Sequence, residues 1–187
     1  RMKIHKIPIQ SEMRVYEDNL NYLPDFKTFN QELKKEILKC GDQQKQQTAV
    51  VGSMTYWDMQ HRSENFRKLL KIIGDKLYKL VDLRTSEGFV QLVCMDMWGV
   101  IHRKGEWTKH HTHLGNQYSF AYYIQAPKNC SPIVYSAPGS LEVHPTKGTL
   151  LLWESAYTHH TYKNKTKELR IMISGNLGWK TTEQVTR

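Results

Sequence analysis

The second half of the chain alternates apolar and polar residues with a period of two, and this pattern constrains the fold more than any other feature. It begins with GFVQLVCMDMWGVIHRKGEW at residue 88 and continues through YSFAYYIQAP, CSPIVYSAPG, LEVHP, GTLLLWES and ELRIMISGNLGW. Glycine or proline stands at most of the boundaries, as expected for turns between strands. Six or more short strands predict a mainly β, antiparallel fold of the jelly-roll type, the double-stranded β-helix.

The first part of the chain has a helical period instead. DFKTFNQELKKEILKCG (25–41) spaces its apolar residues by three and four and ends at Gly41, a typical helix C-cap. SENFRKLLKIIGDKLYKLVDL (63–83) begins at Ser63, a favourable N-cap, and carries one apolar stripe. The sequence therefore predicts one domain over residues 1–187. Its helical N-terminal part, residues 1–84, packs two helices on a jelly-roll core at residues 85–187.

Composition limits the classes of partner. The chain has 27 Lys and Arg against 18 Asp and Glu, for a formal net charge of +9. These basic residues are spread over helix and loop segments, which is typical of a solvated surface, so a polyanion or nucleic acid is only a weak candidate partner. The longest apolar runs are shorter than the roughly 18 residues of a membrane span. We therefore expect a cytoplasmic protein with no membrane partner.

Histidines are concentrated in two short segments. KHHTH contains His110, His111 and His113, and ESAYTHHTY contains His159 and His160. Residues i and i+2 of a strand share a face, so His111 and His113 are predicted to project together while His110 points away. A histidine of the second segment could complete a metal site if the two segments lie side by side. Either His159 or His160 could serve, because one residue of register exchanges the two faces.

Arg170 stands within an apolar strand, between Leu169 and Ile171. If it points into the fold it is a buried cation that needs an anion, and a planar guanidinium pairs well with a carboxylate. The strand pattern alone is equally consistent with an arginine that faces solvent.

Together these segments resemble the iron(II)- and 2-oxoglutarate-dependent oxygenases, and most closely a small bacterial and phage subgroup of them. The shared pattern runs His-x-His, a Tyr-Tyr strand ending in proline, a Pro-x-x-Gly turn, a Ser-x-x-x-His segment and Arg-Ile-x-Ile-Ser-x-Asn. It covers residues 88–178. The predicted helices before it carry no specific motif of that family.

The resemblance implies a dioxygenase that oxidises an unidentified substrate and converts 2-oxoglutarate to succinate and carbon dioxide. It implies iron(II) ligands at His111, His113 and His159. It also implies cosubstrate contacts: Arg170 would pair with the distal carboxylate, and Tyr123 or Tyr122 would donate to that carboxylate or form the pocket wall. Asn176 matches the last position of the shared pattern.

The sequence departs from the family at two positions. The usual iron ligands are two histidines and one carboxylate, but His113 stands at the carboxylate position and no Asp or Glu occurs between Trp107 and Leu141. Asp96 could approach only from another strand, so we predict a site of three histidines, which carries more positive charge. Met172 stands where the subgroup more often has serine, which removes a hydroxyl contact to the cosubstrate.

Two other functions are compatible with the same residues. A non-catalytic, cupin-like barrel that binds a metal or an anion would explain both histidine segments, but it assigns no role to an inward Arg170. A nucleic-acid-binding protein could stack bases on the aromatic strand YSFAYY, yet no recognised binding motif accompanies that strand.

Overall fold

The computed structural model describes residues 12–180 except 82–83, 86–87 and 90. The N-terminal elements are β1 (Val15–Asn19), a 3-10 helix (Leu20–Tyr22), α1 (Phe26–Cys40), β2 (Val50–Val51), β3 (Ser53–Met54), α2 (Met59–Arg62) and α3 (Glu64–Leu80). The strands that follow are β4 (Arg84–Thr85), β5 (Gly88–Phe89), β6 (Gln91–His102), β7 (Trp107–Thr108), β8 (Tyr118–Gln125), β9 (Ile133–Ala137), β10 (Leu141–Val143), β11 (Thr149–Glu154), β12 (Thr158–Thr161) and β13 (Arg170–Lys180). The described chain is mainly β, as predicted.

Helices α1 and α3 occupy the two segments predicted to be helical. Helix α1 ends at Gly41, which has a φ of 67°; glycine adopts this left-handed conformation without steric strain. Helix α3 begins after Ser63, whose hydroxyl accepts a hydrogen bond from the backbone N–H of Phe66. No helix of the described residues is long and apolar enough to cross a membrane.

The largest sheet has six antiparallel strands in the order β1-β11-β8-β13-β6-β3. Strand alternation divides its side chains between two apolar clusters. One cluster packs the helices against one face and includes Leu33, Ile37, Leu69, Ile73, Phe120, Tyr122, Ile171 and Ile173. The other cluster lies on the opposite face and includes Trp98, Val100, Ala121, Tyr123, Leu151, Trp153 and Met172.

A second layer covers the face that the helices leave free. It is a three-stranded antiparallel sheet in the order β10-β9-β12. Ile133 and Tyr135 of β9 belong to the same apolar cluster as Trp98 and Trp153 of the large sheet. The candidate site lies between these two layers.

The first 84 residues contain strands as well as the predicted helices. Strand β1 pairs with β11 and forms one edge of the large sheet, and β3 pairs with β6 at the other edge. Strand β2 pairs with β7, just before the first histidine segment. These strands are too short to show a clear period of two in the sequence.

Candidate metal centre

The structure brings His111, His113 and His159 together. One ring nitrogen from each lies within 4.8 Å of the others. The backbones of His111 and His159 form an antiparallel bridge, with N–H to carbonyl distances of 3.1 and 3.0 Å. The N–H of His113 donates to the carbonyl of Ser155 at 2.9 Å, which fixes this residue although it lies in a loop.

Backbone carbonyls orient two of the three imidazole rings. Nδ1 of His111 lies 2.8 Å from the carbonyl oxygen of Lys109, and Nδ1 of His159 lies 3.0 Å from that of Tyr157. A carbonyl only accepts hydrogen bonds, so each Nδ1 carries the proton and each Nε2 keeps its lone pair. Metal-binding histidines are commonly held in this way.

Burial keeps the three rings neutral. Burial, with a smaller contribution from neighbouring histidines, lowers the pKa of His159 to about 3 and that of His113 to about 4. The pKa of His111 is also lowered, mainly by burial. Only the unprotonated imidazole binds a metal, so these side chains are in the binding form at neutral pH.

The neighbouring histidines point away from this group. The rings of His110 and His160 stack on each other with centroids 3.7 Å apart. The two faces predicted by alternation are therefore observed, and His159 rather than His160 lies with His111 and His113. The first segment is not a regular strand, because His111 forms only an isolated bridge and the backbone turns between His113 and Asn116.

Arg170 points into the fold and its side chain is fully buried. One terminal nitrogen lies 3.1 Å from Nδ1 of His102, and the other donates to the hydroxyl of Tyr123 at 3.2 Å. Nε makes no hydrogen bond, and no carboxylate of the described residues forms an ion pair with this guanidinium. A buried cation without an anion is costly, so the site favours an anionic ligand.

The two candidate tyrosines lie on opposite faces of β8. Tyr123 lies under the guanidinium of Arg170, with its ring centroid 4.9 Å from the guanidinium carbon. Tyr122 is on the helix side, where its hydroxyl donates to Asn30 of α1 at 2.8 Å. The structure thus places Tyr123 at the candidate site and excludes Tyr122, because adjacent residues of a strand face opposite ways.

Three further buried residues, His102, Thr108 and Tyr135, were not identified from the sequence. His102 accepts from Arg170 through Nδ1, so its Nε2 carries the proton and lies 3.2 Å from the hydroxyl oxygen of Thr108. Burial and the charge of Arg170 lower the pKa of His102 well below its usual value. The hydroxyl of Tyr135 is buried and forms no hydrogen bond among the described residues. His102 lies two and four residues after Val100 and Trp98 on β6, so alternation along the sequence places all three side chains on one face.

A narrow cavity is lined by the three histidines and reaches Thr108 and Met172, which contact His102 and Arg170. Its polar lining includes Thr108 and Ser174, and its apolar lining includes Val100, Ile133 and Met172. The rings of Trp98 and Trp153 lie 6.0 Å from His113 and 5.0 Å from His159. The site is therefore walled by large apolar groups, which strengthen electrostatic interactions inside it.

No protein-family model matches the sequence, and no curated protein matches it. Solved structures do match the fold. A collagen prolyl hydroxylase of Paramecium bursaria Chlorella virus-1, solved with 2OG, has a TM-score of 0.69 and 14% identity over 89% of this chain and 96% of its own. A Pseudomonas putida prolyl-4-hydroxylase has a TM-score of 0.65 and 14% identity over 89% and 92%. HygX of Streptomyces hygroscopicus, solved with nickel and 2-oxoglutarate, has a TM-score of 0.61 and 14% identity over 89% and 82%.

The chain has the fold of the iron(II)- and 2-oxoglutarate-dependent oxygenases. The structural comparison thus agrees with the sequence resemblance. At 14% identity this similarity shows the fold.

The group of three histidines differs from the usual two histidines and one carboxylate of this fold. The nearest candidate carboxylate, Asp96, accepts a hydrogen bond from Nδ2 of Asn176 at 2.7 Å and is not part of the histidine group. Burial raises the pKa of Asp96. Asn176 also accepts a hydrogen bond from Ser119 at 2.8 Å. Asn176 therefore belongs to a polar network with Asp96 and does not contact Arg170 as a cosubstrate residue would.

Met172 lies between Arg170 and the cavity. Its sulfur lies 3.1 Å from a terminal nitrogen of Arg170, and its side chain lines the cavity. The thioether therefore accepts a hydrogen bond from the arginine, which a serine hydroxyl could also do. The Met172 thioether is a weaker acceptor than a serine hydroxyl. The methionine side chain is also bulkier than serine, so it shields Arg170 from solvent.

The neutral histidines predict an acid-sensitive fold for the metal-free protein. In the unfolded chain a histidine gains a proton near pH 6.5, whereas His113 and His159 in the fold do so only near pH 4 and pH 3. Their contribution to stability is thus present above pH 6.5 and is lost as the pH falls below it. As the pH falls below 6.5, each of these two histidines should lower the free energy of unfolding by up to about 1.4 kcal/mol per pH unit.

Urea denaturation at pH 7, 6 and 5 measures this slope. His113→Gln should make it shallower by about one proton, or about 1.4 kcal/mol per pH unit. A slope in that variant equal to the wild-type slope would show that His113 does not stay neutral in the fold.

Proposed function

We propose that this protein is an iron(II)- and 2-oxoglutarate-dependent dioxygenase with a three-histidine iron site. The observation that carries the proposal is the presence of two unusual features in the interior between the two sheets. Three neutral histidines converge, and His111 and His159 keep a free Nε2. Beyond Met172 of the cavity wall lies a fully buried Arg170, which has no carboxylate partner among the described residues. A metal and a dicarboxylate satisfy both features at once.

The metal would be held by His111, His113 and His159. Three ligands on one side of an ion leave positions open on the other side, as catalytic metal sites require. Because all three ligands are neutral, the ion keeps its full charge, which favours an anionic cosubstrate. The backbone contacts of His111 and His159 hold their rings in place before the metal arrives.

The distal carboxylate of 2-oxoglutarate would be bound by Arg170 and Tyr123. Buried polar atoms normally have hydrogen-bond partners, yet Nε of Arg170 and the hydroxyl of Tyr135 have none within the described chain. A carboxylate accepts from a guanidinium at two points and from a hydroxyl as well. These atoms therefore fit the cosubstrate.

Iron(II) and 2-oxoglutarate together supply the oxidation of a second substrate, coupled to release of succinate and carbon dioxide. The protein's own residues bind and orient both groups. Trp98, Trp153, Ile133 and Met172 exclude water from the cavity around them. The two layers that enclose the site are those expected of a jelly-roll of the double-stranded β-helix type.

The substrate is proposed here only as a class. One related structure, a Trichoplax adhaerens prolyl hydroxylase, was solved with a peptide fragment of hypoxia inducible factor. A peptide is accordingly one candidate substrate. The alternative of a metal- or anion-binding barrel without catalysis accounts for the histidines but assigns no role to the buried Arg170.

Anaerobic titration tests the proposal. The purified chain should bind about one iron(II), and 2-oxoglutarate should then bind only to the iron-loaded protein. Admission of oxygen should yield succinate that depends on both iron and 2-oxoglutarate, even without a second substrate. Iron binding with neither 2-oxoglutarate binding nor succinate would favour the non-catalytic barrel.

A further inference from the structure

One face of the large sheet carries a row of alternating β6 residues, of which Trp98 and Val100 line the cavity. The row consists of Asp96, Trp98, Val100 and His102, since they alternate along the strand. The register pairs Asp96 with Asn176 at one end and His102 with Arg170 at the other. Six residues separate the ends, which is about 20 Å along a strand. Arg170 and Asp96 therefore mark opposite ends of one surface.

The candidate metal centre lies nearer the Asp96 end. His113 packs against Trp98, two residues from Asp96. Trp153, which contacts His159, pairs with Ser119 on β8, and Ser119 pairs with Asn176. A cosubstrate that reaches from the histidines towards Arg170 leaves the Asp96 end for a second substrate.

An exposed aromatic side chain stands at this end. The ring of Trp57 packs against that of Trp98 at an angle of 53°, with centroids 4.5 Å apart, yet 46% of Trp57 is exposed. The carbonyl of Trp57 accepts from the N–H of Met97 at 2.8 Å, so its backbone is tied to β6 beside Asp96. A rigidly held and exposed tryptophan is a common feature of binding sites.

Asp96 carries a charge that no cation of the described residues neutralises. Its one side-chain partner there is the amide of Asn176, and it remains partly exposed. Burial raises the pKa of this carboxyl, and no basic group lies near enough to oppose that effect. The nearby Asp58 differs, because it is paired with Arg62 at 2.5 Å. Asp96 is thus the free negative charge beside the tryptophans.

We propose that Asp96, Trp57 and Trp98 form a subsite for a positively charged group of the second substrate, an ammonium or a guanidinium. A carboxylate beside an aromatic face is the combination that recognises such cations, by a charge-assisted hydrogen bond and a cation–π contact. The role of this subsite in positioning a second substrate rests on the proposed dioxygenase function. Binding of a cation at the subsite does not depend on that function. The chain has a net charge of +9, but the nearby cation Arg62 is paired with Asp58 and so does not repel a cation bound at this subsite.

Calorimetric titration with small amides tests the subsite. The probes are the N-acetyl amides of lysine, arginine and norleucine, the last having an apolar side chain of similar length. Wild-type protein, loaded anaerobically with iron(II) and 2-oxoglutarate and also without them, should bind the lysine or the arginine compound at least about tenfold more tightly than the norleucine compound.

Four variants locate the effect. Asp96→Asn should reduce the preference to about twofold or less, whereas Asp58→Asn removes an equal charge nearby and should retain it. Trp57→Leu should weaken binding of the cationic compound severalfold, and Trp57→Tyr should restore most of it, because tyrosine also offers an aromatic face. Trp57 is half exposed, so its replacement leaves the core intact.

The outcomes separate the subsite from the dioxygenase. No preference in the wild type, or a preference that survives Asp96→Asn, overturns the subsite even if succinate is formed. A preference that depends on Asp96 in a protein that makes no succinate supports the subsite and contradicts the proposed function. Succinate formation that rises in the presence of the cationic compound and not the norleucine compound supports both.

Discussion

Replacing His159 with alanine is expected to lower iron(II) affinity by more than about 100-fold. Loss of residues that merely orient metal ligands costs 10- to 100-fold, so loss of a ligand costs more. His159 has the most buried ring of the three, and Tyr157 holds its Nδ1. Iron content after anaerobic loading and gel filtration, with a titration for the affinity, measures the effect.

His113 tests whether the site has three histidine ligands. His113→Asp creates the two-histidine, one-carboxylate set, lowers the charge at the metal by one and should retain iron. His113→Ala should lose most of it. His110→Ala is the matched control, because His110 stacks on His160 outside the group and should leave iron content unchanged.

Equal iron content in the wild type, His113→Ala and His113→Asp would remove His113 from the ligand set. Loss of iron from His110→Ala would instead show that the outward pair contributes. Thermal melts of the metal-free variants check that each one folds.

Replacing Arg170 with lysine is expected to weaken 2-oxoglutarate binding by about 30-fold or more, because loss of a buried charge contact costs about 2–5 kcal/mol. An ammonium keeps the charge but lacks the planar two-point geometry, and it also loses the contacts to His102 and Tyr123. The dependence of succinate formation on 2-oxoglutarate concentration, together with calorimetry, measures the change. Arg67→Lys, an exposed substitution on α3, is the control.

An unchanged requirement for 2-oxoglutarate in Arg170→Lys removes this residue from the cosubstrate site. Iron affinity should stay close to the wild-type value in the same variant, since Arg170 is not a neighbour of the three histidines. A simultaneous loss of iron would indicate that the substitution disturbs the whole cavity.

Much of the fold follows from local patterns. Alternation predicts most strands after residue 90, and the helical period with Ser63 and Gly41 predicts α3 and α1. Strand β1 was missed because five residues, VYEDN, show no decisive period, and only pairing with β11 makes them a strand. Short edge strands are stabilised by partners that are distant in sequence.

The sequence by itself determined which residue types could form the candidate site. Alternation along β8 separates Tyr122 from Tyr123, whatever the rest of the fold does. The His-x-His spacing predicted His111 and His113 on one side of the chain, but that segment is not a regular strand, so its hydrogen bonds to β12 and Ser155 decide where the two rings lie. The sequence left open which side faces the interior, because a period of two is identical for both faces of a strand.

Only the tertiary structure decided those faces and brought the segments together. Helices α1 and α3 cover one side of the large sheet, so Tyr122 packs under them while Tyr123 and Arg170 face the second layer. The bridge between His111 and His159 joins segments that are 48 residues apart. Burial then sets the chemistry, because removal from water makes the histidines neutral and leaves Arg170 in need of an anion.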